Sequence, residues 1–218
     1  MSELRTEEEQ VEALRKWWKD NGTSVLLALV IGLAGYFGFN YWKSQQQAQV
    51  ESAALLYNQL VQIAANPVPS AAEKQSMTAI ATELKTEYSG SAYADFGTLF
   101  LARFASDAGD FDSAAAELKA LTENAKNAPV KYTAQARLAQ ILVQQEKFDD
   151  ALALVKTVPD AAFAVQFEEV KGDALYRKGQ LDEARAAYQR ALEAAQTQGI
   201  NPQLLQRKID SLTAAGDA

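Results

Sequence analysis

Gly109-Asp110-Phe111-Asp112-Ser113-Ala114 returns twice further along the chain, as Glu146-Lys147-Phe148-Asp149-Asp150-Ala151 and as Gly179-Gln180-Leu181-Asp182-Glu183-Ala184. Each copy reads as a turn, an apolar residue, an Asp, one further residue and an Ala. The alanines Ala114, Ala151 and Ala184 are 37 and 33 residues apart. A period of that size marks a helix-turn-helix unit repeated along the chain. The Asp of each copy is expected to cap the second helix, and the Ala to let the two helices approach closely. Abundant Ala with few Gly and Pro agrees with an all-α fold.

The pattern resembles the tetratricopeptide repeat, whose period is about 34 residues. The third copy is the most complete. Gly172, Leu175, Gly179, Ala184, Tyr188 and Ala191 stand where that family has Gly, an aromatic or apolar residue, Gly, Ala, an aromatic and Ala. It lacks the family's terminal Pro, and Glu168 stands where an early Trp is often found. The first two copies are degenerate, with Ala102 and Ala139 at the Gly position and Leu118 and Val155 at the aromatic one. The resemblance implies a right-handed α-solenoid over residues 91–200, its inner face lined by the first helix of each pair. It places Phe96, Leu99, Arg103, Gln140, Val143, Asp173, Tyr176 and Arg177 near that face as candidate partner-binding residues. Tetratricopeptide domains that clamp a C-terminal carboxylate use Lys and Asn at set positions. Here those positions hold Leu99, Arg103, Ala136, Gln140, Glu169 and Asp173, so that clamp is not expected. Packing between repeats, or a solvated face, accounts more simply for any single one of the candidates.

Outward from the repeats, Asn201-Pro202 reads as a cap followed by Pro at the first helical position, opening a closing segment over 201–218. Leu204, Leu205, Ile209 and Leu212 are expected on one broad face, as a terminal capping helix requires. On the other side, residues 43–90 read as connecting helices. The first is polar at Ser44 and then apolar through Leu55, Leu56, Leu60 and Ile63. Asn66-Pro67-Val68-Pro69-Ser70 breaks it, because the residue before a proline avoids the helical region. Ser70-Ala71-Ala72-Glu73 starts the next, which runs to about Tyr88 before Ser89-Gly90.

Thr23 to Trp42, TSVLLALVIGLAGYFGFNYW, carries no charge over twenty residues. A helix of that length spans the hydrocarbon of a bilayer. Trp17 and Trp18 precede it and Tyr41 and Trp42 close it, as interfacial aromatics do. The rival reading is a cleaved secretory signal. An acidic N-region of over twenty residues, and no clear small-x-small cleavage site before Tyr41-Trp42-Lys43, argue against it. Arg5, Arg15, Lys16 and Lys19 stand before the span, and only Lys43 stands after it until Lys74. Basic residues near a span stay cytoplasmic, so the N-terminus is expected inside and the repeats outside, in a bacterium the periplasm. Ala28 with Gly32, and Ala34 with Gly38, form small-xxx-small pairs suited to close helix packing, although glycine is common in membrane helices in any case. Residues 1–22 read as a short amphipathic helix at the cytoplasmic surface. Thr6-Glu7-Glu8-Glu9 forms its capping box, Val11, Leu14 and Trp18 its apolar side, and Asn21-Gly22 its stop. That helix either sets the depth of the anchor or touches a cytosolic partner.

Composition narrows the chemistry. The net charge is −7, which argues against nucleic acid, whose binding needs a cationic footprint. The chain has neither His nor Cys. That removes Ser-His-Asp and Cys-His nucleophile systems, the commonest neutral-pH general base and nearly all zinc and copper sites. Acidic pairs such as Asp149-Asp150 and Asp182-Glu183 sit at helix starts, where the dipole favours them, without a companion nucleophile or phosphate loop. No catalytic residue, cofactor or metal is expected.

Taken whole, the chain resembles the YfgM family. The cytoplasmic segment EEEQVEALRKWWKDNG, a single span ending in Tyr41-Trp42, a helix beginning SQQQAQVESAALLYNQL and an outward repeat domain carry the likeness. The resemblance implies a single-pass inner-membrane protein, ancillary to the SecYEG translocon. It also implies association with the membrane-anchored chaperone PpiD and a part in passing exported polypeptides to periplasmic chaperones. No residue-level site comes with it. Two other roles fit the same residues: an envelope scaffold for another complex, and a regulator acting through its cytosolic segment.

Overall fold

The computed structural model describes residues 7–216, which form nine α-helices and one 3-10 turn without a strand. In order these are α1 (Glu7–Ala64), α2 (Ala71–Glu87), α3 (Ala92–Asp107), α4 (Phe111–Asn124), α5 (Ala128–Gln144), α6 (Phe148–Leu154), the 3-10 turn Ala161–Phe163, α7 (Ala164–Arg177), α8 (Leu181–Gln198) and α9 (Gln203–Gly216). Thr6 of the expected capping box lies outside the described residues. The chain divides into two compact units, one ending at Glu51 and the other beginning at Ser52.

In the first unit α1 runs unbroken through the stop expected at Asn21-Gly22. Gly22 has no positive φ, so it does not turn the chain. Asn21 Nδ2 donates to the Trp17 carbonyl at 3.1 Å, and a Cβ on Gly22 would stand 3.2 Å from the Trp18 ring. The glycine therefore makes room for an indole. A mid-helix glycine costs about 1 kcal/mol against alanine, less than the unsatisfied backbone groups that a break would create. Further on, Leu26, Leu27, Leu29, Val30, Ile31, Leu33, Tyr36, Phe37 and Phe39 are all exposed. Among the described residues α1 is the one helix long and apolar enough to cross a membrane. Around Gly32 and Gly38 nothing lies within 4 Å of where a Cβ would be, so the small-residue positions are open.

The second unit is an all-α tetratricopeptide-like solenoid. Its helix pairs are α3 with α4, α5 with α6 and α7 with α8, preceded by α2 and closed by α9. The three motif turns share one hydrogen-bond pattern. Gly109, Glu146 and Gly179 take φ of 78°, 61° and 80°. Their N–H groups donate to Ser106, Val143 and Tyr176, and the next N–H groups donate back to Ala105, Leu142 and Leu175. This left-handed closure satisfies the carbonyls that end the first helix of each pair. Glu146 holds with a side chain a conformation that glycine holds freely.

The motif Asp residues do not cap, contrary to expectation. The residue at the cap is Asp110, Lys147 or Gln180, and only Asp110 makes a cap bond, to the Ser113 N–H at 3.0 Å. Asp112, Asp149 and Asp182 are the second residues of their helices, in the first turn, where their charge suits the helix dipole. Two of them also tie successive repeats together. Gln145 Nε2 donates to Asp112 at 2.8 Å, and Lys178 Nζ to Asp149 at 2.6 Å. Helix α6 is short, ending at Leu154 with the Val155 N–H bonded back to the Ala151 carbonyl, and Val158-Pro159 bars a helix from resuming directly beyond it.

The motif alanines behave as expected: Ala114, Ala151 and Ala184 are completely buried. One turn further along each second helix, Leu118, Val155 and Tyr188 are buried against the first helix of the pair. A Cβ on Gly172 would lie 2.4 Å from the Tyr188 ring, so the aromatic requires the glycine. Ala102 and Ala139 stand at that site where Leu118 and Val155 replace the ring. At α2 and α3 the close approach is made by Gly97, whose Cβ would sit 2.8 Å from the Ala81 carbonyl oxygen. Capping follows the expectation at Ser70, whose Oγ accepts from the Glu73 N–H while Glu73 accepts from the Ser70 N–H at 2.7 Å.

Two stability measurements check this account. Gly172→Ala should cost about 1–3 kcal/mol through overpacking. In a Tyr188→Leu background the same change should cost almost nothing, and equal costs in the two backgrounds would refute the coupling. Glu146→Gly should raise stability by about 1 kcal/mol by relieving the left-handed backbone, read as a higher melting temperature.

Candidate functional site

The eight candidate residues do not share one surface. Val143 is buried, 5% exposed, among Ala139, Ala151 and Val170, so it holds repeats together rather than facing a ligand. Asp173 accepts from the Tyr188 hydroxyl at 2.7 Å and from Lys208 Nζ at 2.6 Å. Lys208, on α9, also donates to Glu169 at 2.8 Å. Glu169 and Asp173 of the third repeat are thus occupied by the chain's own closing helix. Tyr176 remains exposed, and Arg177 lies 4.0 Å from Glu146 on the preceding turn, a surface contact of little energetic weight.

Phe96, Leu99, Arg103 and Gln140 remain, and the structure adds neighbours that periodicity does not reveal. Tyr57, from the last part of α1, stands among Tyr93, Phe96 and Phe100 with ring centroids 5.5, 5.3 and 6.5 Å away. Phe100 continues the cluster to Phe104. A hollow of about 240 Å³ is lined by Tyr57, Phe96, Leu99, Phe100, Arg103 and Arg137. A second hollow, about 160 Å³, includes Arg103, Ser106, Asp107, Arg137 and Gln140. Arg137, from α5, therefore faces Arg103, from α3. Partial burial and the neighbouring charge of Arg103 lower the pKa of Arg137, which remains far above neutrality. Arg103 Nε is 3.6 Å from Asp107 in an exposed pair. Arg137 has no carboxylate within salt-bridge distance among the described residues. Sequence reading missed Arg137 and Tyr57 because neither lies on the repeat positions used to trace the inner face.

The C-terminal end is built around Lys208. Partial burial pulls its pKa down, but hydrogen bonds to Asp173 and Glu169 outweigh that and leave it above the usual lysine value. Its ammonium also lies 5.4 Å from the Tyr188 ring centroid. A pKa raised on folding stabilises below the unfolded value and stops doing so as pH rises past the folded one, so the contact persists through the physiological range. Leu205 and Leu212 are buried beside it, while Leu204 stands in solvent, off the face expected for it. Asn201 Oδ1 accepts from the Gln203 N–H at 3.0 Å as the helix opens, but the first helical residue is Gln203, so Pro202 stands just before the helix and not at its first position. Lys208→Met should cost about 1–3 kcal/mol, the range for charge-assisted bonds to a half-buried group. Hydrogen exchange should show the loss first in α9, and unchanged protection there would refute a stabilising role for the Lys208 contacts.

Among the described residues no group of three or more carboxylates could hold a metal ion. The arrangement offers surfaces for binding.

The family described as the tetratricopeptide repeat-like domain matches residues 15–214. A Neisseria gonorrhoeae protein is 31% identical, over 94% of this chain and 97% of the relative. An Escherichia coli protein is 28% identical over 98% and 100%, and a Haemophilus influenzae protein 26% identical over 94% and 97%. Each of the three is named an ancillary SecYEG translocon subunit. No solved structure matches the chain. The likeness runs through the apolar helix and the repeats alike, and the chain belongs to the tetratricopeptide repeat-like domain family, in the YfgM group of ancillary SecYEG translocon subunits.

Proposed function

We propose that this protein is a single-pass inner-membrane subunit of the Sec translocon that works by binding rather than by catalysis. The observation that carries this reading is the uncovered apolar belt from Leu26 to Phe39, on a chain matched end to end by ancillary translocon subunits. Nine large apolar side chains exposed on one helix are costly in water and cost nothing in lipid. Arg15, Lys16 and Lys19 before the span, against Lys43 after it, favour a cytoplasmic N-terminus and a periplasmic array. A chain without His or Cys lacks the usual means of nucleophilic and acid–base chemistry, whereas a helical array suits the binding of polypeptides. In this role the array holds a PpiD-like chaperone or an emerging chain and helps exported proteins reach periplasmic chaperones. The segments assigned to it are 1–22 in the cytoplasm, 23–42 in the membrane, 43–90 as connection, 91–200 as the binding array and 201–218 as its cap.

In the span, Ala28, Gly32, Ala34 and Gly38 would supply close packing against channel helices. Gly32→Ile with Gly38→Ile should keep the protein inserted yet reduce recovery of Sec subunits in mild detergent. Leu29→Ile with Leu33→Ile, which keeps volume, should change recovery less. Protease added to spheroplasts should remove everything after Lys43 and leave a small membrane-bound stub. A protein protected throughout would overturn the orientation, and equal Sec recovery from both variants would overturn packing through the glycines.

A further inference from the structure

Arg103 and Arg137, on the neighbouring helices α3 and α5, line one hollow with Tyr57, Phe96, Leu99 and Phe100, close enough for each charge to be felt by the other. Four other cations of the array meet carboxylates at short range: Lys85 with Glu117 at 2.7 Å, Lys178 with Asp149 at 2.6 Å, Arg190 with Glu168 at 2.8 Å and Lys208 with Glu169 at 2.8 Å. Arg137 has no such partner among the described residues, and Arg103 has only its loose contact with exposed Asp107. In a chain of net charge −7 these two arginines share one nearby acid, Asp107, which lines the adjoining hollow with them and is exposed, so one positive charge is left over there. Each guanidinium presents a planar fork that matches a carboxylate with two hydrogen bonds. The rings beside them form an apolar wall for a side chain, in a hollow of about 240 Å³ that has room for one large residue.

We propose that this wall of Tyr57, Phe96, Phe100, Arg103 and Arg137 binds an acidic segment of a partner polypeptide, carboxylates on the two arginines and a neighbouring apolar or aromatic side chain on the rings. Gln140 and Ser106, lining the adjoining hollow, add side-chain hydrogen-bonding groups for the segment's backbone. At the third repeat the acids Glu169 and Asp173 are already taken by Lys208, so the binding potential concentrates at the first two repeats. The proposal rests on reading the array as a partner-binding platform and adds the chemistry of the partner.

The test uses the full chain in nanodiscs and a fluorescein-labelled peptide rich in Asp and Glu with a central Phe, titrated by anisotropy. The acidic peptide should bind, and Arg103→Gln with Arg137→Gln should weaken it by about tenfold or more while the thermal melt is retained. Lys119→Gln with Lys156→Gln, exposed cations away from the hollow, should leave affinity unchanged. The same peptide with Asn and Gln in place of the acids should fail to bind, and loss of the Phe should weaken binding. No binding of the acidic peptide, equal loss in the lysine control, or equal competition by an anionic oligonucleotide would each overturn the proposal. Sec recovery through the span is measured separately. Its failure would remove the translocon reading without touching the peptide result, and the converse also holds.

Discussion

The two helices of each repeat meet through alanine, and the array depends on how close that lets them come. Ala114, Ala151 and Ala184 are wholly excluded from solvent at the start of the second helices. With no atom beyond Cβ, such a contact gains dispersion only if the helix axes are near, and it has no rotamer with which to absorb an error. The next turn compensates. Where the second helix carries Tyr188, the facing residue is Gly172. Where it carries Leu118 or Val155, the facing residue is alanine. A larger residue on one helix is matched by a smaller one on the other, so the Gly–Tyr and Ala–Leu pairs fill similar space, and the Ala–Val pair is one methylene smaller.

Charge is arranged on top of this packing. The motif Asp residues, too far into their helices to cap them, serve the dipole, and Asp112 and Asp149 reach the next repeat. Lys208 closes the last repeat by sitting between Glu169 and Asp173 with its charge over Tyr188. A terminal helix must cover an apolar face on one side only, and α9 does so with Leu205 and Leu212. Arg103 and Arg137 differ in having each other's charge as a neighbour.

Helix α1 serves two environments. Up to Glu51 its large apolar side chains are exposed, and from Ser52 onward Ala53 and Leu60 are buried with Met77, Ile80, Ala81 and Leu84 of α2. Leu55, apolar in the same stretch, is exposed, because only one stripe of the helix meets α2 and α3. Asn66 and the prolines then end the helix, and the Ser70–Glu73 box starts the next.

Much of this was legible from residues alone. Period and turn residues located the three helix pairs, uncharged length located the apolar span, and small residues at fixed offsets located the crossings, because each follows from local geometry and hydropathy. Local signals misled where longer-range contacts outweighed them. Asn21-Gly22 reads as a stop, yet Gly22 accommodates the Trp18 ring inside a continuous helix. The motif Asp reads as a cap, yet the turn's hydrogen bonds put the cap two residues earlier. Tertiary packing alone decided the candidate site. It buried Val143, spent Asp173 on Lys208, and brought Tyr57 and Arg137 to Arg103 across helices far apart in sequence. Repeat position specifies which way a helix turns. Which side chains remain free for a partner depends on what the neighbouring helices have already bound.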